Sequence, residues 1–126
     1  MSLYERRRHL TADELAAALV DLPHWEEKDG ALVRTVRTAG WKGTLMAVNA
    51  IAHLAEVAWH HPDLVVSYDR VVVRLFSHDA GGITGRDIAL ARKIEDVVMW
   101  QPGIDPASPL EGPPKDDARA TYLIYD

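Results

Sequence analysis

LVVSYDRVVVRLFSH, residues 64–78, holds two β-rich runs separated by Tyr68-Asp69-Arg70. Branched and aromatic side chains fit a pleated, half-buried surface, and the polar break between the runs predicts a hairpin. In the second run Val71, Val73 and Leu75 alternate with Val72, Arg74 and Phe76. That alternation puts one set on a packed face and the other on a partly covered face. Immediately upstream, Leu45, Val48, Ile51, Ala52, Ala55 and Ala58 keep a helical period between Lys42 and about Trp59, which predicts the longest helix of the chain. Pro62 disfavours the α conformation at its predecessor, so this helix is expected to finish near His60.

Working outward, HWEEKDGALVRTVRT (residues 24–38) contains Asp29-Gly30 between two short runs. This dipeptide favours a two-residue hairpin turn, with strands expected near Trp25–Lys28 and Ala31–Arg37. Thr11 followed by Glu14 is a capping box that opens a helix from about Ala12 to Val20. Thr84 followed by Asp87 opens another, running to about Trp100. The order αββαββα, with a hairpin on each side of the long helix, implies an α+β domain: a four-stranded antiparallel sheet with helices packed on one face. Beyond Trp100, Pro102, Pro106, Pro109, Pro113 and Pro114 forbid regular structure. We therefore expect a domain over residues 1–100 and an irregular Pro-rich C-terminal extension over 101–126. Its end, ATYLIYD, is strand-like and suited to docking on a sheet edge, its own or a neighbour's.

Composition narrows the function classes. A chain of 126 residues, 48% apolar and 26% charged, suits one domain with a real core. A net charge of -5 leaves no electrostatic footprint for nucleic acid. Arg6-Arg7-Arg8 reads as a solvated N-terminal arm. With no cysteine there is neither a disulfide framework nor a thiolate nucleophile or metal ligand. No apolar run approaches a membrane span, and a cytoplasmic location is the default expectation.

EVAWHHPDL, residues 56–64, concentrates polar groups where the long helix ends. Glu56 and His60, four apart, share a helix face. The helix dipole there favours a protonated imidazole. His61 stands where the chain leaves the helix, and His78 ends the second hairpin, so three imidazoles from two elements are candidates to converge. For each histidine alone, a capping, buried or merely exposed role is the simpler reading. His53, Glu56 and His60 at i, i+3 and i+7 also suit a zinc site, although a solvent face gives the same spacing. No G-x-S-x-G elbow supports a serine nucleophile, and no phosphate motif surrounds Gly81-Gly82.

In order and separation, EVAWHHPDL, Tyr68, VVVRLFSH and GITGRD (residues 82–87) resemble the signature of the pterin-4a-carbinolamine dehydratases; LTADELAAALVDLPHW and ALVRT resemble that family's first helix and hairpin. The resemblance spans about Leu10 to Val98. It implies an α+β subunit assembled as a homodimer or homotetramer. The implied reaction dehydrates 4a-hydroxytetrahydropterin to quinonoid dihydropterin, with the pterin as substrate and no metal or cofactor. It places the catalytic histidines on His60, His61 and His78, and substrate binding on Glu56, Pro62, Ser77 and Asp87. Within that scheme His60 and His78 are expected to act as acid and base, with His61 orienting the pterin and Glu56 holding His60. The resemblance equally admits a non-catalytic relative, such as a Rubisco assembly factor or a dimerisation cofactor, with the tail as its protein-binding element.

Overall fold

The computed structural model describes residues 1–125. Its elements are α1 (Leu3–Arg7), α2 (Ala12–Val20), β1 (Glu26–Lys28), β2 (Ala31–Thr38), α3 (Trp41–Ala58), β3 (Asp63–Ser67), β4 (Arg70–Leu75), α4 (Gly85–Val98) and β5 (Leu123–Ile124). The antiparallel sheet has the order β1-β2-β4-β3, and β5 adds to β2 at Arg37 and Thr38, beyond the stretch that β1 covers. Both hairpins stand where the sequence places them. Asp29 and Gly30 take φ of 51° and 78°, the positive-φ pair that a tight hairpin turn requires.

One sheet face carries the core. Leu32 and Val36 of β2 and Val71, Val73 and Leu75 of β4 are fully buried, and Ala47 and Ile51 of α3 with Leu90 and Ile94 of α4 cover them. Each large aliphatic side chain so buried contributes roughly 1.5–3 kcal/mol. The α+β architecture with helices on one face follows directly. Arg34 also lies within this layer, 2% exposed, and its guanidinium is satisfied by Glu95 of α4. The same carboxylate accepts the Trp25 indole N–H at 2.7 Å, so one acidic group ties the last helix to the sheet.

Several boundaries differ from expectation, each for a local reason. The short α1 was not anticipated; Ser2 caps it by accepting from the Glu5 amide. Arg8, partly exposed, is not a free arm residue, since its guanidinium grips Glu14 at 2.7 and 2.6 Å. Trp25 precedes β1 and belongs to the core. Helix α4 ends at Val98, two residues before Trp100. A fifth strand joins the expected four, because the tail pairs with its own sheet and buries Leu123. Among its described residues the extension otherwise lacks regular structure apart from 3-10 turns at Pro102–Ile104 and Ala118–Ala120.

Candidate active site

Helix α3 stops at Ala58, earlier than Pro62 alone would require. Trp59 turns into the left-handed region at φ 51°, ψ 47°; its amide bonds the Glu56 carbonyl at 3.2 Å, and the His60 amide reaches back to Ala55 at 3.1 Å. These two bonds form a Schellman ending, which usually places glycine where Trp59 stands. The left-handed geometry costs a side-chain-bearing residue about 1–2 kcal/mol. Its consequence is to send His60 and His61 in different directions.

His60 turns inward. Its Nε2 lies 2.6 Å from Oδ1 of Asp87, and the ring retains only 14% exposure. Asp87 is fully buried, and its Oδ2 accepts from the Ser77 hydroxyl at 2.8 Å and from the Thr84 amide at 2.9 Å. The Ser77 and Thr84 hydroxyls stand 2.9 Å apart. Asp87 therefore closes the capping box of α4 and orients His60 with the same carboxylate. Because a carboxylate accepts, His60 Nε2 carries the proton, and Nδ1 is left as the nitrogen able to exchange one.

His61 turns outward and pairs with Glu56 at 2.7 Å, the two side chains 49% and 67% exposed. The Trp59 ring meets it edge-on, with centroids 5.0 Å apart. Glu56 thus holds His61, and the expectation that it holds His60 is corrected: five residues on, past the left-handed turn, His61 swings back over Glu56. Ser77 and Asp87, expected to touch substrate, are at most 1% exposed; Asp87 bonds His60, and Ser77 bonds Asp87. Pro62 is half-buried beside the pair. His78 is exposed, its ring edge-on to Phe76 at 4.9 Å. The three imidazoles share no hydrogen bond among the described residues. What links His60 to His78 is Ser77, which bonds Asp87 and immediately precedes His78. Among the described residues no three His, Asp or Glu groups are placed to hold a metal ion, and His60 and Glu56 have separate partners.

His60 opens onto a cavity of about 370 Å³ between α3 and α4, walled by Leu54, Val57, Ala89 and Leu90 with Arg86 and Lys93 at its rim. Apolar walls with a few convergent polar groups are typical of small-molecule sites. Residues 8–97 match the family model described as pterin 4 alpha carbinolamine dehydratase. The chain belongs to this family. Relatives named as pterin-4-alpha-carbinolamine dehydratases include one from Aquifex aeolicus, 47% identical over 72% of this chain and 92% of its own length, and one from Thermomicrobium roseum, 47% identical over 66% and 89%. A crystal structure titled transcriptional coactivator/pterin dehydratase from Brucella melitensis is similar at 32% identity and a TM-score of 0.67, covering 70% of this chain and 96% of that one.

Two features of this dehydratase family member lay beyond the sequence signal. The His60–Asp87 bond joins residues 27 apart, and no local pattern marks it. The left-handed turn falls on a tryptophan, where only glycine or asparagine would have signalled it.

Proposed function

We propose that this protein dehydrates 4a-hydroxytetrahydropterin to quinonoid dihydropterin. The observation that carries the reading is the His60–Asp87 pair in a chain of the dehydratase family. In the reaction the C4a–O bond breaks, the departing hydroxyl takes a proton to leave as water, and N5 loses a proton as the C4a–N5 double bond forms. One acid and one base suffice. Imidazole, with an ordinary pKa of about 6.5, serves either role near neutrality. His60, fixed by Asp87, and His78 are the assigned pair; His61, braced by Glu56, orients the pterin. The imidazoles carry both proton transfers without a metal, so a chelator leaves the rate unchanged.

The test is an assay of a synthetic carbinolamine at neutral pH in a cytoplasm-like buffer. His60→Ala and His78→Ala should each slow dehydration by about 10- to 100-fold, with the double variant falling by less than the product. Wild-type protein giving no acceleration over buffer would overturn the reading.

Assembly and boundaries are part of the same proposal. Strand β3 is an unpaired sheet edge among the described residues, with Val65 60% and Val66 39% exposed, and a symmetric homodimer or homotetramer would cover such an edge. Light scattering showing a monomer at micromolar concentration would sink it. Residues 1–100 carry the chemistry, and Leu123–Ile124 of the extension close the β2 edge. Truncation after Gln101 is expected to keep kcat and lower Tm.

A further inference from the structure

The loop that carries His78 is built to be held from outside. Gly81 and Gly82 amides return to the Ser77 carbonyl at 2.9 and 3.3 Å, and the Ser77 amide bonds the Gly82 carbonyl at 3.1 Å. Gly81 takes φ of 70° at the tip. The N-terminal arm lies across this loop. Leu10 donates its amide to Ile83 at 3.1 Å, and His9 pairs with Thr84 in a single antiparallel bridge. The His9 ring rests directly on Gly82: a Cβ there would come within 2.6 Å of Cε1. His9 Nε2 is bonded to the Ala80 carbonyl, and since a carbonyl only accepts, that nitrogen carries the proton.

The arm is itself anchored. Arg8 grips Glu14 and donates to the His9 carbonyl at 3.2 Å. Within the loop, Asp79 is held by Arg86 through two bonds of 2.7 and 3.1 Å. His78 immediately precedes both attachments and makes no side-chain hydrogen bond among the described residues, so beyond its ring contact with Phe76 its position depends on the loop backbone.

We infer that His9 is a positioning residue for the dehydration, a clamp on the loop that carries Ser77 and His78. The inference rests on the site assigned above. Ser77 feeds the Asp87–His60 pair and His78 is the second proton-transfer group, so a displaced loop misaligns both. Misplacement of a reacting group by about 1 Å can cost up to 10²-fold in rate.

The experiment compares wild type, His9→Ala, His9→Gln and Gly82→Ala in carbinolamine dehydration, with hydrogen exchange of the Gly81 and Gly82 amides measured in parallel. His9→Ala is expected to lower kcat on the order of 10-fold with KM within about twofold. Glutamine, whose amide can donate to the Ala80 carbonyl, should restore most of the rate. Gly82→Ala, which displaces the ring while keeping it, should reproduce the loss. Both loss variants should speed exchange at Gly81 and Gly82. Unchanged kcat in His9→Ala, in an enzyme that His78→Ala impairs, overturns the inference, as does a kcat loss that glutamine does not rescue. If wild type shows no dehydration, the site reading itself fails and the positioning role falls with it; the exchange rates then tell whether the loop contact alone was correctly drawn.

Discussion

Two helices of this chain begin with the same device. At α2, Glu14 accepts from the Thr11 amide at 2.9 Å; at α4, Asp87 accepts from the Thr84 amide at 2.9 Å. In both cases the carboxylate has further acceptor capacity to place. Glu14, half-exposed, gives it to Arg8 at the surface. Asp87, wholly buried, gives it to His60 and Ser77. The motif therefore fixes a helix start in each case, while burial and the neighbouring element decide whether it also becomes part of a reactive centre.

The comparison is broken most severely by Asp87→Asn. Asp87 accepts three hydrogen bonds, on Oδ1 from His60 and on Oδ2 from Ser77 and Thr84, whereas asparagine has one accepting oxygen. If that oxygen serves Ser77 and Thr84, the amide N–H groups face His60 and force its proton onto Nδ1. The tautomer needed at the substrate is then reversed. We expect a rate loss on the order of 10²-fold or more. One unsatisfied buried group adds about 1–3 kcal/mol of destabilisation. Kinetics together with chemical denaturation check both, and a variant with wild-type kcat would remove Asp87 from the mechanism.

A smaller effect is expected from Glu56→Gln. The Glu56–His61 pair is solvent-exposed, and exposed pairs contribute about 0–1 kcal/mol. The glutamine carbonyl can still accept from His61, so kcat should fall by only about threefold and Tm should not move. A loss as large as that of Asp87→Asn would show that the outward pair, rather than the buried one, governs the chemistry.

How much of this was legible in the sequence follows from the range of each interaction. Period, capping boxes and the Asp-Gly turn are local signals, and they placed α2, both hairpins, α3 and α4 to within a few residues. The order of those elements carried the sheet and its covered face. The dehydratase signature singled out His60, His61, His78 and Asp87, yet the expected pairing of Glu56 with His60 was wrong: Asp87 holds His60 and Glu56 holds His61. That pairing depends on the left-handed turn at Trp59, a conformation tryptophan does not advertise. The arm over Gly82 was equally hidden, because Arg6-Arg7-Arg8 reads as solvated until Glu14 is placed beside Arg8 in space. Docking of ATYLIYD on its own β2 was one of two open choices, since strand propensity says that an end will pair and not with which chain.

The smallest expected effect belongs to Glu14, and it shows in acid rather than in the rate. A hydrogen bond from Arg8 holds the Glu14 carboxyl down to about 2, from an ordinary value of 4.5. A folded pKa below the unfolded one means that the folded state binds its proton less readily. The stabilisation is therefore complete above about pH 4.5 and is lost as the pH falls towards about 2. Glu14→Gln keeps a residue that can close the capping box and removes the titration. Its stability should decline less steeply than that of wild type between pH 4.5 and 2, with neutral-pH kcat within about twofold because the His9 and Asp87 contacts remain. Thermal denaturation as a function of pH is the measurement. Parallel acid profiles for the two proteins would mean that Arg8 and Glu14 meet without favouring the charged carboxylate, and the surface capping box would then be no more than a helix start.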